Sequence, residues 1–322
     1  MEDNWIDSLK KMFFTPNLEE LDIHGSMALK KKYMPQKLYK YREINNFSKE
    51  NLQDSSLYCT FASTFNDPYD STLIFDPEFG KSYASGLAKQ LIKKTDITPE
   101  DLDFLDEVPE PLIALLQLYF EKFPDPKFSS NESITKLAEY FLAQKEKENL
   151  KTLSEFNSHI QNMYKICSLS ERIDSILMWG HYGNQHKGFA MEYDFHSLPL
   201  SDLMGRCLWP VIYSEHLYNG SELLNNVSET DKSFNNMIAI IAALHKAKDW
   251  EYEKEWRIIV PDSPTSPPQN FRAPLKAVYL GSKVSDVDAS EIYSIATLNN
   301  LPVFKMQLSQ HEFKMIPVPF TL

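Results

Sequence analysis

Charged side chains occupy every second position in the late segment Glu251–Ile258. In an extended chain, residues two apart share a face, so Glu253, Glu255 and Arg257 are expected side by side. An arginine beside a glutamate can orient its carboxylate toward a substrate hydroxyl or base, which makes Glu253 and Glu255 candidate catalytic residues and Arg257 a candidate binding residue. The alternative is a solvated strand edge with a cross-paired arginine.

Aromatic rings, imidazoles and glycines are concentrated in Met178–Asp194. Glycine allows a backbone to approach a ligand closely, and aromatic rings stack on flat rings. We therefore predict that Trp179 and Tyr182 contribute to a ligand pocket and that His181 takes part in catalysis. The alternative is that the aromatic residues belong to the core and the histidines are polar caps.

Tyrosines and basic residues alternate in Leu38–Arg42. A strand here would place Tyr39 and Tyr41 on one face and Lys40 and Arg42 on the other. Because lysines also lie just upstream in an otherwise acidic chain, the segment can attract a phosphorylated ligand. We predict that all four side chains bind a cofactor or substrate; a solvated run of charge is the alternative.

The segment Phe65–Asp70 has the composition of a turn, with Asn and Asp before Pro. A structural role is the favoured interpretation, and ordering of the site or metal binding by Asp67 and Asp70 are alternatives. Asn66 and Asp67 of this turn are included among the candidate binding residues.

Short strands and blocks of helices surround these segments, which predicts an α+β fold with a central, mostly antiparallel sheet. Residues 1–35 are expected to form an amphipathic appendage, because Trp5, Leu9 and similar residues recur at helical spacing. Residues 36–322 are expected to form a single domain, interrupted by a large helical insert at about 84–165.

Individual elements are predicted from the same patterns. The segments Leu57–Thr64 and Cys207–Ser214 are each typical of one strand, and Asp231–Asp249 is typical of one long helix. Ser48 is a candidate N-cap for a short helix after the first strand.

The composition limits the classes of function. The chain has 322 residues, is 43% hydrophobic and carries a net charge of -12, which disfavours an extended nucleic-acid surface. Three cysteines without CxxC spacing predict neither a zinc site nor a disulfide framework. No apolar run reaches the ~18 residues of a membrane span, so a cytoplasmic protein without a membrane partner is expected.

Five of these segments occur in a recognisable order. They are Leu38–Arg42, Phe65–Asp70, Met178–Asp194, Trp250–Ile258 and Leu275–Gly281. This order resembles the bacterial family called domain of unknown function 2971. A more distant resemblance is to ADP-ribosyltransferase-like domains, in which the first element would be Tyr39–Arg42 and the last Glu253-x-Glu255. The middle element would be either Thr60–Thr64 or Ser168–Ser170.

The second resemblance implies a split sheet and an enzyme that consumes NAD as a substrate and needs no metal. Glu253 or Glu255 would stabilise the positive charge that develops on the ribose as nicotinamide leaves. Arg42 or Lys40 would contact the phosphates, and Tyr41, Trp179 and Tyr182 would wall the pocket. The partner is then a small-molecule nucleotide together with an acceptor of unknown type, in bacterial stress or phage defence.

Two other classes of function remain open. A metal-dependent hydrolase or nuclease could use the carboxylates and histidines of these segments, although no HExxH-type spacing is present. A non-catalytic binding module could present the N-terminal helix and the helical insert to a partner. If the protein is an enzyme, four clusters of candidate residues are expected to meet at one cleft. These clusters lie in Leu38–Arg42, Phe65–Asp70, Met178–Asp194 and Glu251–Ile258.

Overall fold

The architecture is taken from a computed structural model. It describes residues 5–15, 18–75, 108–221, 237–261 and 270–322. The chain divides into two units, of which the larger comprises residues 1–73, 158–218 and 222–322, and the smaller residues 74–157 and 219–221.

The described residues contain the following elements. The helices are α1 (Trp5–Phe13), α2 (Ile23–Tyr33), α3 (Asn46–Gln53), α4 (Pro111–Lys122), α5 (Asn131–Gln161), α6 (Ile176–His181), α7 (Leu203–Cys207), α8 (Ile238–Leu244) and α9 (Asp286–Leu298). The strands are β1 (Leu38–Arg42), β2 (Ser56–Tyr58), β3 (Thr60–Phe61), β4 (Leu73–Ile74), β5 (Tyr164–Ser170), β6 (Phe189–Tyr193), β7 (Leu208–Pro210), β8 (Ile212–Ser214), β9 (Tyr218–Asn219), β10 (His245–Ala247), β11 (Glu255–Pro261), β12 (Asn270–Arg272), β13 (Leu275–Leu280), β14 (Val303–Leu308) and β15 (Met315–Pro319).

A large sheet forms the centre of the larger unit. Its strands follow the order β15-β14-β13-β6-β1-β5-β11-β7, and β3 pairs with β5 beside this path. The pairs are antiparallel except for β13 with β14. The predicted α+β class with a mostly antiparallel sheet is therefore confirmed.

The sheet forks between β1 and β5. The two strands share one register pair, Tyr39 with Ser170, whereas β1 pairs with β6 through five residues and β5 with β11 through seven. Across the gap, Nζ of Lys40 donates a hydrogen bond to the carbonyl oxygen of Ser168 at 2.8 Å. A partly buried carbonyl group near the diverging strands thus gains a side-chain donor.

Apolar clusters cover both faces of the sheet around this fork. On one face, Tyr39 and Tyr41 pack with Met178 and Trp179. Leu38, from the alternate position of β1, packs into the larger cluster on the other face. Burial on both faces fixes the register of β1, because a slip by one residue would exchange the tyrosines for Leu38 and Lys40.

Several sequence-based assignments differ from the structure. Leu57–Thr64 is two short strands followed by a 3-10 turn, Ala62–Thr64, and not one strand. Cys207–Ser214 begins at the end of a helix and then forms β7 and β8. The N-cap of α3 is Asn45, which accepts from the Ser48 amide while Ser48 Oγ accepts from the Asn45 amide.

The largest difference concerns Asp231–Asp249, of which residues 231–236 lie outside the described residues. Helix α8 ends at Leu244, and His245–Ala247 forms β10, which pairs in parallel with β8. A 3-10 turn, Lys248–Glu253, then leads to β11. Long-range pairing with β8 therefore overrides the helical periodicity of the local sequence.

The N-terminal helices pack within the larger unit. Leu9 and Phe13 of α1 are buried, and the ring of Trp5 stacks between Tyr33 of α2 and Trp256 of β11. The apolar residues at helical spacing in α1 thus form a face that packs within this unit.

The smaller unit is represented by α4 and by α5, whose residues 158–161 belong to the larger unit. Leu112 and Leu116 of α4 pack with Ile134 and Ala138 of α5. The predicted insert, 84–165, covers these helices, but residues 84–107 lie outside the described residues. Within the described part of the chain, no helix has both the length and the apolar character needed to cross a bilayer.

Replacing Leu9 by Ala tests the docking of α1. Because Leu9 is buried, we expect a loss of about 2–5 kcal/mol in the free energy of unfolding of the whole larger unit. Lys11→Ala, at an exposed position of the same helix, is the control and should change it by less than about 0.5 kcal/mol. Chemical denaturation followed by tryptophan fluorescence gives the measurement, and equal stability of Leu9→Ala and wild type would contradict the docking.

Candidate active site

A cavity of about 180 Å³ lies at the fork of the sheet. Its walls are Tyr39, Lys40, Tyr41, Phe65, Asn66, Asp70, Ser168, Leu169, Ser170, Met178, Tyr182, Lys246, Glu253, Glu255 and Arg257. All four clusters singled out in the sequence contribute to this lining. Segments separated by about two hundred residues in the chain therefore face one cavity.

Strand β11 carries two of the charged residues, and the turn before it carries a third. Glu255 and Arg257 are two residues apart in β11, as the strand period predicts. Glu253 is not on the strand, because it ends the 3-10 turn and Lys254 adopts a left-handed conformation with φ 44°. The prediction that all three share one strand face is wrong for Glu253, yet the turn still directs it into the same cavity.

Arg257 is fully buried and holds two carboxylates. Its guanidinium donates to both Asp70 oxygens at 2.8 and 2.6 Å, and its Nε donates to Glu255 at 2.8 Å. A further bond to the carbonyl oxygen of Ala243 completes the donor set. Such multiply bonded guanidinium groups fix the geometry of their partners as well as neutralising them.

Lys246 is a site residue that the sequence analysis missed. Its Nζ lies 2.6 Å from Glu253 and 2.8 Å from Glu255, so it links the two carboxylates. The side chains of all three residues are buried. Lys246 was hidden inside the predicted helix 231–249, where it had no apparent partner; β10 is the element that brings it to the cavity.

The two glutamates are electrostatically different. Burial alone would raise the pKa of Glu255, but the charges of Arg257 and Lys246 outweigh burial and hold this pKa well below its usual range. Burial raises the pKa of Glu253, and the attraction of Lys246 offsets this only in part. The surroundings of Glu255 therefore favour its anion, whereas the raised pKa of Glu253 makes this carboxyl group the more readily protonated of the two.

Met178 of helix α6 and Tyr182, the C-cap of this helix, line the cavity together, because residues four apart lie on the same helical face. The Tyr182 hydroxyl donates to Glu253 at 2.7 Å. Trp179 lies behind the wall, with its ring 5.0 Å from that of Tyr41 in an edge-to-face arrangement. His181 is exposed and lies outside the cavity lining, so the geometry gives this predicted catalytic residue no place beside the glutamates.

The glycines after α6 serve close backbone packing. A Cβ at Gly188 would lie 2.1 Å from the Arg42 carbonyl oxygen, and one at Gly281 would lie 2.2 Å from that of His186. Both glycines thus allow neighbouring chain segments to approach each other. The sequence predicted that glycines would allow close approach to a ligand. Gly188 and Gly281 instead allow close approach between two parts of the chain.

Some candidate residues of strand β1 and of the turn Phe65–Asp70 line the cavity, and others do not. Tyr39, Lys40 and Tyr41 line the cavity, but Arg42 does not, and two of its buried nitrogens have no hydrogen-bond partner among the described residues. In the turn, Asn66 lines the cavity while Asp67 accepts from the Tyr69 amide. Of the two alternatives for a middle element, Ser168–Ser170 lines the cavity and Thr60–Thr64 does not.

Each cation in the described lining is already engaged. Lys40 binds a carbonyl oxygen, whereas Lys246 and Arg257 bind carboxylates. Within the described ranges, no group of three or more His, Cys, Asp and Glu side chains has the geometry to hold a metal ion. The cavity thus offers ion-paired carboxylates, among them Glu253 with its raised pKa, and aromatic walls.

Replacing Arg257 by Met tests the buried charge network. The change leaves Asp70 and Glu255 without their main donor and should destabilise the protein by about 3–5 kcal/mol at about pH 7. Without Arg257, burial should raise the pKa of Glu255, so the deficit relative to wild type should shrink toward about pH 4 as this group protonates. Urea denaturation at both pH values measures the difference.

Arg172→Met is the matched control for this experiment. Arg172 binds Asp174 at 2.6 Å, but both side chains are partly exposed, so its loss should cost less than about 1 kcal/mol. A deficit in Arg257→Met that stays constant or grows with falling pH would show that the network does not control the charge of Glu255.

Comparison with known proteins finds one family whose profile matches part of this site. Residues 178–258 match the profile of the family described as Protein of unknown function (DUF2971). The matched segment includes Tyr182, Lys246, Glu253, Glu255 and Arg257, whereas the segments Leu38–Arg42 and Phe65–Asp70 lie outside it. Neither the curated proteins nor the solved structures contain a match. The resemblance stated from the sequence motifs is thereby confirmed over residues 178–258, which match a family of unknown function.

Proposed function

We propose that the fork cavity is the active site of an enzyme that cleaves the bond between nicotinamide and ribose in NAD and transfers the ADP-ribosyl group. The observation that carries the proposal is the Glu253 carboxyl group, which lines the cavity, is 3% exposed and is held by Lys246 and Tyr182. A fixed carboxylate in a buried site stabilises a positively charged transition state.

The size and walls of the cavity suit one end of the dinucleotide. At about 180 Å³ it is smaller than typical ligand pockets of about 300–1,000 Å³, which favours a single ring with part of its ribose. Phe65, Tyr39 and Tyr41 supply aromatic surface for a flat ring.

The charges favour the nicotinamide end over the pyrophosphate end. The nicotinamide ring of NAD is cationic, and three carboxylates of the lining, Asp70, Glu253 and Glu255, share two paired cations, Lys246 and Arg257, so negative charge is in excess within this ion-paired group. Because Lys40, Lys246 and Arg257 are all engaged, a pyrophosphate would find no free cation among the described lining residues. We therefore assign the pyrophosphate to a position outside the cavity, which is a change from the sequence-based role of Lys40 and Arg42.

The two glutamates then take different roles. Ionised Glu253 interacts with the ribose, where positive charge develops as the bond to nicotinamide breaks. Tyr182 donates to Oε1 of Glu253, and Lys246 donates to Oε2, so the carboxylate plane is fixed before the substrate arrives. Glu255 acts as a positioning residue, because it shares Lys246 with Glu253 and anchors the lysine through its own bond to Arg257.

Replacing Glu253 by Gln removes the charge and retains the shape. We expect nicotinamide release from NAD to fall by about 100-fold, which is the usual effect of losing one charge-stabilising group. Glu251→Gln, at an exposed position of the same turn, is the control and should retain wild-type turnover. Chromatographic quantification of nicotinamide gives the rate; full activity of Glu253→Gln would reject the proposed role.

Replacing Lys246 by Met tests how Glu253 is kept ionised. Activity that requires the Glu253 anion decreases as the pH falls through the raised pKa of this group. Removing Lys246 removes the attraction that opposes burial, so the acid limb of the kcat/KM profile should move to higher pH. Lys248→Met, at an exposed lysine, should leave the limb in place. An unchanged limb in Lys246→Met would contradict the assignment.

A further inference from the structure

Two of the cysteines, Cys59 and Cys167, lie together in the larger apolar cluster of the sheet. Strand β3 pairs antiparallel with β5, with Thr60 opposite Ile166, so one step further along this register Cys59 lies opposite Cys167. Opposed residues of an antiparallel pair have Cα atoms about 4.5–5.5 Å apart, which is within the span that a disulfide can bridge. Both cysteines are free thiols in this structure.

The two thiol groups are in contact and differ in proton affinity. The S–H of Cys59 donates a hydrogen bond to the sulfur of Cys167. This bond lowers the pKa of Cys167 to about 6, with the nearby charges of Lys40 and Arg42 acting in the same direction and burial acting against them. The same bond, together with burial, raises the pKa of Cys59. Near neutral pH, Cys167 is therefore the nucleophilic thiolate of the pair and Cys59 is the thiol.

Lys40 and Arg42 of β1 are the cations beside this pair. Among the described residues, neither of them forms an ion pair with an aspartate or a glutamate. Nζ of Lys40 donates to the carbonyl oxygen of Ser168, whereas Nε and Nη2 of Arg42 are buried without a hydrogen-bond partner. Cations that are removed from water are stabilised by a nearby anion, and the Cys167 thiolate is placed to supply it. Positively charged surroundings distinguish a reactive thiol from an inert core cysteine.

Burial limits the reagents that can reach the two sulfurs. Cys59 is 0% exposed and Cys167 is 1% exposed, so a bulky oxidant has no direct access to either of them in the folded protein. Lys40 lines the fork cavity, and its charge also acts on Cys167. This side chain therefore connects the fork cavity with the thiolate, and a reagent close to water in size is the kind that fits such a route.

We propose that Cys59 and Cys167 form a redox site that hydrogen peroxide, entering from the fork cavity beside Lys40, converts to a disulfide. The Cys167 thiolate attacks one peroxide oxygen and the O–O bond breaks, which gives a sulfenic acid and a hydroxide ion that solvent protonates to water. The Cys59 sulfur then attacks the Cys167 sulfur, the S–O bond breaks, and the thiol proton leaves with the hydroxyl group as water. Two thiols are oxidised to one disulfide, and one peroxide is reduced to two waters. This chemistry is independent of the NAD reaction.

Peroxide treatment of the folded wild-type protein tests the site. After an acid quench and alkylation of the remaining thiols in denaturant, digestion and mass spectrometry should identify a peptide pair in which a disulfide joins Cys59 to Cys167. Cys207, which is half-buried, is the internal reference for the dose of peroxide. Oxidation of Cys207 without a disulfide between Cys59 and Cys167 would overturn the inference.

Glutathione disulfide tests the route of access. Because it is much larger than peroxide and both sulfurs are buried, it should form the same bond at least about 10-fold more slowly at equal concentration. Equal rates with the two oxidants would show that the bond forms only after the fold opens, and would contradict the entry of peroxide into the folded protein.

Replacing Arg42 by Met tests the activation of the thiolate. Loss of this cation makes the Cys167 anion less favourable, so peroxide should form the disulfide about 10-fold more slowly near neutral pH. Arg172→Met, which removes a partly exposed arginine bound to Asp174, is the control and should keep the wild-type rate. An unchanged rate in Arg42→Met would reject the role assigned to the cations of β1.

Discussion

The buried guanidinium of Arg257 is the interaction on which the site depends. It joins the turn through Asp70, strand β11 through Glu255 and helix α8 through the carbonyl oxygen of Ala243. A buried charge of this kind is stable only when its donors are satisfied, and a missing partner costs several kcal/mol. Because Arg257 already compensates the charge of Glu255, Lys246 can also bind Glu253, whose carboxyl group has a raised pKa and lines the cavity.

The patterns that depend on local periodicity were predictable from the sequence. Strand period two identified Glu255 and Arg257 as neighbours, and alternation in β1 identified the paired tyrosines that line the cavity. For the turn residue Asp70 a structural role was favoured, with metal binding or ordering of the site as alternatives. Its partner, Arg257, lies far away in the chain. Rules based on local sequence patterns do not predict a contact between such distant residues.

Elements set by long-range pairing were not predictable in this way. Lys246 reaches the site because β10 pairs with β8, a contact that local helical periodicity conceals. His181 was chosen from the composition of its cluster, although helix geometry could have argued against it. Residues two apart on a helix lie on nearly opposite faces, so a buried Trp179 places His181 outward, whereas Met178 and Tyr182 share a face.

The fork in the sheet has a consequence for how such a site can diversify. The ladder of β1 with β6 and that of β5 with β11 each continue for five or more residues, whereas one register pair joins the two ladders. Side chains at the fork can therefore be exchanged without removing the main-chain hydrogen bonds of either ladder. The lining can therefore change at Phe65 or Asn66, which lie outside the strands, while both ladders are retained.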